Sequence, residues 1–402
     1  MTGVAESPVP VRPRSFVPLG ATCVAVGVAN ALAVPFLSVF LTGDVGVQPV
    51  PLGAFLLATP VAGVVVSTVI GRLSDTRTDR RLLLRVGGVA GAIGYSLYVF
   101  LRDYWALLAV STTLVAVASA LIPQMFAFAR HAVLRSGTTK GPLIISGLRT
   151  LISVSWVAGP PLAALLVAVS GFRGLFGAVA VCYALATVLT FRLPDPGTVA
   201  HDPTKPRVRP GPLPRQVWFA APAFVLIQGA GSLGVMTLPL FVAADHGGGP
   251  ADAGLILGLC AALEIPLMIW LGVLAIKADQ HLLVLTGAVV ALGYHTAMYL
   301  TGSLWQVAAA QVLNAVVIAS VAGVGISYFQ SLAPDRPGTA TTLYTNTTVA
   351  GSMIAGPLLG VAAKLGYRDS YLMSLVMAGL GAFLLALARP RRVSPVRSAA
   401  GA

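Results

Sequence analysis

The feature that most constrains this chain is a succession of apolar runs, each long enough to cross a bilayer. They lie at about 16–41, 51–71, 82–101, 105–129, 142–169, 172–193, 217–243, 252–276, 282–300, 304–329, 338–363 and 369–388. A hydrocarbon core needs roughly 20 apolar residues of helix, and in lipid every backbone polar group must be satisfied within the segment. The expectation is an all-α membrane protein with twelve transmembrane helices. Composition agrees, because only 10% of the 402 residues are charged, against about 25% in soluble domains.

The net charge of +13 does not point to nucleic acid, because the cations are spread through short loops rather than gathered on one face. With the amino terminus inside, Arg102, Arg173, Lys364 and Arg368 are the cations of the external loops and Arg149 lies within a span, while the rest of the 26 fall on the cytoplasmic side. That bias places both termini in the cytoplasm. The first run exceeds the length of a cleavable signal and is read as a retained helix. Cys23, Cys182 and Cys260 lie inside apolar runs without metal-site spacing, so neither a disulfide nor a metal is expected, and no cofactor motif is present. The remaining expectations are a bacterial cytoplasmic (plasma) membrane setting and a monomer.

The longest polar stretch, 194–215, is rich in proline and reads as a cytoplasmic linker. It separates an N-terminal six-helix bundle (16–193) from a C-terminal one (216–389), with cytoplasmic tails at 1–15 and 390–402. The halves echo one another, as a six-plus-six repeat requires. Pro35-Phe36-Leu37 answers Pro239-Leu240-Phe241, Gly159-Pro160-Pro161 answers Gly356-Pro357, and Gly171-Phe172-Arg173 answers Gly366-Tyr367-Arg368.

A charge in the middle of a span is costly and marks function. Glu264 is the one acid deep in a run. A carboxylate out of water disfavours its charged form, which suits a proton-coupling role; the bland alternative is a carboxylate that merely pins helices together. Arg149 shares a helix face with Ser153 and Trp156 at i, i+4 and i+7, and either binds substrate or snorkels to the cytoplasmic interface. Asn30, Gln124, Gln228, Gln311, Asn314, Gln330 and Asn346 offer donors and acceptors as sugar hydroxyls require, and Trp156, Tyr328 and Tyr344 offer ring faces. Any one amide is more often interhelical glue. His295 reads as core or lipid-facing. Gly229-Ala230-Gly231-Ser232-Leu233-Gly234 spells GxGxxG but lies in a span with no strand before it, so close helix packing is expected rather than a dinucleotide site.

Between the second and third runs stands Gly71-Arg72-Leu73-Ser74-Asp75-Thr76-Arg77-Thr78-Asp79-Arg80-Arg81. Its Gly71, Asp75, Arg80 and Arg81 resemble the gating loop that marks the major facilitator superfamily of transporters. A longer set is similar to one branch, the bacterial sugar efflux transporters: 35–41, 122–130, Leu148-Arg149, 156–163, 263–266, 311–316, 329–334 and 340–346. The resemblance implies two pseudo-symmetric bundles rocking about a central site, and export of sugars or glycosides by proton antiport. The partners it implies are a small sugar, protons and the bilayer. The Gly-Pro element of the fifth run also resembles the antiporter motif of drug exporters, which keeps a multidrug exporter as the alternative. A non-transporting sensor or polytopic enzyme is disfavoured by the short loops.

Overall fold

The computed structural model describes residues 17–74, 80–136, 141–193 and 213–389. Expectations for the tails, for most of the linker and for Asp75 fall outside the described residues. Within them the chain is helical: α1 (Val17–Ala33), α2 (Leu37–Asp44), α3 (Pro49–Ser74), α4 (Arg80–Phe100), α5 (Tyr104–Val133), α6 (Gly141–Thr190), α7 (Arg215–His246), α8 (Pro250–Lys277), α9 (Gln280–Leu300), α10 (Leu304–Leu332), α11 (Pro337–Leu365) and α12 (Asp369–Leu387). Ten helices are long and apolar enough to cross a membrane, or eleven with the pair α1 and α2, which meet at a 42° bend. That bend follows Pro35, whose missing N–H removes a rung of the helix ladder.

α6 is too long for one crossing, at 50 residues and about 1.5 Å per residue. Gly171, at φ 64° and ψ −167°, breaks it. A left-handed φ of this kind suits a residue without Cβ. The fifth and sixth apolar runs therefore lie on either side of Gly171 within this element. Gly247 (φ 64°) ends α7 and Gly366 (φ 139°) ends α11 in the same region of φ.

One end of the bundle carries Arg80, Arg85, Arg130, Arg215 and Arg389 and is called the arginine-rich end. Arg80 donates to the Ala127 carbonyl at 3.3 Å, tying α4 to α5, and Arg85 lies 4.2 Å from the Phe191 ring centre. At the opposite end the two halves each carry a clasp. Arg102 pairs with Asp44 at 2.6 Å over the ring of Phe40; Arg368 pairs with Asp245 at 3.3 Å over the ring of Phe241. In both, the phenylalanine precedes the aspartate by one helical turn, so the guanidinium lies on one face with both. Arg368 also donates to the carbonyls of Tyr299 and Thr301.

The halves meet along two seams near this opposite end. In one, α8 packs on α6: a Cβ added at Gly254 would lie 2.7 Å from the Pro160 carbonyl oxygen, and one at Gly258 would lie 2.5 Å from Pro161 Cγ. In the other, α11 packs on α3, where a Cβ at Gly356 would meet Leu56 at 2.7 Å and one at Gly360 would meet the Pro49 carbonyl at 2.7 Å. Only glycine lets the backbones come this close. Glycines nearer the arginine-rich end, Gly71, Gly147 and Gly272, face open space.

Between the seams the Ser38 hydroxyl donates to the Met236 carbonyl at 2.6 Å. This buried bond crosses from α2 to α7. A net hydrogen bond of about 1 kcal/mol corresponds to roughly fivefold in an equilibrium, so Ser38→Ala should loosen the opposite end by that factor. Double electron–electron resonance between spin labels on the tips of α2 and α7 at that end measures it, as growth of the longer-distance population.

Candidate functional site

The candidate residues are carried by α5, α6, α8, α10 and α11, on the arginine-rich side of the two seams. The α6 and α8 seam fixes their levels. Glu264 is ten residues along α8 from Gly254, and Arg149 is eleven residues back along α6 from Pro160. At about 1.5 Å per residue both lie roughly 15 to 16 Å from the same contact, nearly level with one another. A turn of about 100° per residue rotates each to the same side of the seam, with Trp156 on that side too.

Glu264 is half-buried and has no ion-pair or hydrogen-bond partner among the described residues. One turn before it stands Cys260, close enough to feel its charge. Asn314 donates to Cys260 Sγ at 3.4 Å and to Gln311 Oε1 at 3.1 Å. Gln311 is itself fully buried, bonded to the Val307 carbonyl and to Tyr294. The carboxylate thus stands at the edge of an amide network that joins α8, α9 and α10.

Arg149 is exposed to the space between the halves, with its guanidinium 5.8 Å from the Phe126 ring centre. Its charge reaches Tyr344 on α11, across the divide. Tyr344 is buried, packed against Phe224 at 5.8 Å and Phe329 at 6.0 Å. Trp156 is half-buried and Asn346 exposed. Gln124 is buried, and its Oε1, sealed from solvent in this state, has no hydrogen-bond partner among the described residues, an acceptor that a ligand hydroxyl or a water can satisfy once the surrounding helices move.

The other amides are engaged within their own half. Gln330 donates to Thr341 at 3.0 Å, and its bond fastens α10 to α11. Of the aromatic rings, Tyr328 is fully buried and bonded to His281 Nδ1 at 3.0 Å, so it is closed to any ligand. His295 is 2% exposed, a core residue whose ring is tilted at 55° to that of Tyr294. The GxGxxG stretch packs as expected, with Gly229 against Gly351. Of the gating-loop residues, Arg80 bonds as described above and Gly71 faces open space, while Arg81 is half-buried at the start of α4.

The residue reading missed a row of hydroxyls. On α11, Thr342, Thr345 and Thr348 are exposed beside Asn346. Gln228 of α7 donates to Thr347 at 2.7 Å and accepts from Thr348. The signal was present as six threonines between 339 and 348, a density unusual for a segment inside lipid.

Comparison with known proteins locates this architecture. The family model described as Major Facilitator Superfamily matches residues 19–294. A Deinococcus radiodurans protein assigned to sugar efflux is 36% identical over 379 residues, covering 91% of this chain and 96% of its own. Sugar efflux transporter A of Dickeya chrysanthemi is 33% identical over 362 residues, covering 87% of this chain and 90% of its own. Among solved structures, a mutant of the nucleoside transporter NupG superposes with a TM-score of 0.75 at 12% identity, covering 94% of this chain and all of that one; this likeness is one of fold.

Proposed function

The chain belongs to the major facilitator superfamily and, within it, to the sugar efflux transporters, and we propose that it exports sugars or glycosides across the cytoplasmic membrane in exchange for protons. The observation that carries the reading is the agreement of relatives over nine-tenths of the chain. The lining supports it: an unsatisfied amide oxygen, an exposed amide, a row of hydroxyls and an indole are the groups that a polyhydroxyl ring with one apolar face requires.

In this reading the twelve spans form two six-helix bundles, the arginine-rich end faces the cytoplasm, and the structure is open to that side. On the seam helices α3, α6 and α8, Gly53, Gly254 and Gly258 touch the other half while Gly71, Gly147 and Gly272, toward the arginine-rich end, have no neighbour within 4 Å, and this contrast favours that state. Sugar enters from the cytoplasm and meets Trp156, Gln124, Asn346 and Arg149. Glu264 gives its proton to the cytoplasm. As the inner ends of α6 and α8 close, the carboxylate and the Arg149 guanidinium, level and turned to the same side, come together as an ion pair. The glycine seams then part and sugar leaves outward. A proton from outside neutralises Glu264, dissolves the pair and favours the return. A buried charge is costly unless paired, so the pair makes closure depend on the loss of the proton.

Replacing Trp156 tests the sugar site. Trp156→Ala should weaken lactose or glucoside counterflow in proteoliposomes at least tenfold in apparent affinity, whereas Trp156→Phe should retain most of it. Equal affinity in the alanine variant, or counterflow of apolar cationic drugs in place of sugars, contradicts the sugar assignment. Leucine at Gln124 and Asn346 separates the two classes further, because an apolar drug site tolerates it and a hydroxyl-binding site does not.

A further inference from the structure

Where the first and last helices of the C-terminal half meet at the arginine-rich end, a cleft of about 570 Å³ is lined by Arg215, Gln216 and Phe219 of α7 and by Leu387 and Arg389 at the end of α12. Two cations, an amide, a phenyl ring and a leucine line it, with the Arg215 guanidinium 5.7 Å from the Phe219 ring centre. Neither arginine has an ion-pair partner among the described residues. Asp279, at the same end, is engaged in capping α9, where its carboxylate accepts from the His281 N–H at 2.9 Å.

Arg215 stands at the first position of α7, where the helix dipole is positive and a cation is unfavourable. Pro214, before it, supplies no capping side chain. The first N–H groups of the helix, the Arg215 guanidinium and Arg389 therefore share one need, an anion between them. Trp218 is 69% exposed beside the cleft. An exposed tryptophan at a span's end marks the headgroup level of a bilayer, and Phe219 and Leu387 continue the apolar wall toward the hydrocarbon.

We propose that this cleft is a binding site for the phosphate of an anionic phospholipid, with Arg215 and Arg389 on the phosphodiester and the acyl chains along Phe219 and Leu387. Arginine suits such a role through paired donors, and basic clefts between helices on the cytoplasmic face take anionic headgroups. The bound lipid would join α7 to α12 at the point where the interhalf linker enters the second bundle.

Native mass spectrometry of the purified full chain tests the site, with titration of phosphatidylglycerol, of phosphatidylcholine, and of inorganic phosphate as the free-anion arm. The wild type should retain phosphatidylglycerol at least tenfold better than phosphatidylcholine. Arg215→Gln with Arg389→Gln should abolish that preference, and lysine at both positions should restore part of it. A second pair, Arg130→Gln with Arg336→Gln, removes the same charge at the same end away from the cleft and should leave the preference intact. Three results overturn the proposal: equal retention in the cleft variant, an equal loss in the control pair, or displacement of the lipid by millimolar phosphate.

Discussion

Glu264→Gln is expected to abolish proton-driven sugar export while leaving binding of the same sugar in place. Glutamine keeps the volume and hydrogen-bonding capacity of the protonated acid but cannot release a proton. The variant therefore resembles the state before deprotonation and lacks the charge that draws Arg149 across. Export against a concentration difference should fall at least 100-fold, to the level of empty liposomes. Counterflow, which needs the loaded carrier to close, should fall with it, whereas the affinity for the same sugar, read by equilibrium binding in detergent, should stay within a few-fold. Because Glu264 has no bonded partner among the described residues, the substitution leaves none of them unsatisfied and the protein should fold normally. The thermal midpoint, followed in detergent, checks that point. A gradient-driven rate equal to wild type removes Glu264 from the coupling role.

The second large effect is expected at the glycine seams. Gly258→Leu places a branched side chain where even a Cβ would lie 2.5 Å from Pro161, and Gly356→Leu does so where a Cβ would lie 2.7 Å from the Leu56 backbone. Overpacking of this kind costs about 1–3 kcal/mol per site. Only the state closed at the opposite end bears that cost, because the seams part in the other. The two substitutions together should move the population at least tenfold toward the state open on that side. Maleimide labelling of a Ser38→Cys reporter, added from outside the cell, should accelerate by a similar factor, and sugar export should stop because the carrier no longer returns. Unchanged labelling would show that the seams do not form the outer closure. Both sites lie between halves rather than within one, so each bundle should keep its own packing.

Much of the fold was legible because lipid leaves few choices. A run of about twenty apolar residues is a helix there, and its ends are fixed by loops that carry charge. The breaks were less legible. Gly171 was visible as a repeat element, but that a single element would run from 141 to 190 around it was not. The two clasps were hidden altogether. Arg368 and Asp245 stand 123 residues apart, and Arg102, rather than Arg173, makes the corresponding pair in the first half. The Gly-Pro steps were seen as an echo between halves. Their packing against glycines of the opposite half shows what the echo builds.

The site was legible in residue type and less so in direction. Glu264 and Arg149 announced themselves because a charge in an apolar run is rare. The amides did not sort themselves, since helical periodicity gives a face but not whether that face meets a neighbour or open space. Asn314 faces Gln311 and Gln330 faces Thr341, whereas Asn346 faces the opening. Gln311 stood out as an amide in a span and Cys260 did not, but that both set the surroundings of Glu264 follows only from the contacts between α8 and α10.

The most direct test of the account is sugar movement in proteoliposomes of uniform orientation, loaded with radiolabelled lactose or a glucoside on the cytoplasmic-face side, with a pH gradient imposed in each direction. Acid on the external face should accelerate export and carry the sugar beyond equilibrium, with dissipation of the gradient in step. Acid on the cytoplasmic face should slow export. Movement of sugar that only equilibrates, at a rate indifferent to either gradient, would contradict proton exchange and leave a facilitator in its place.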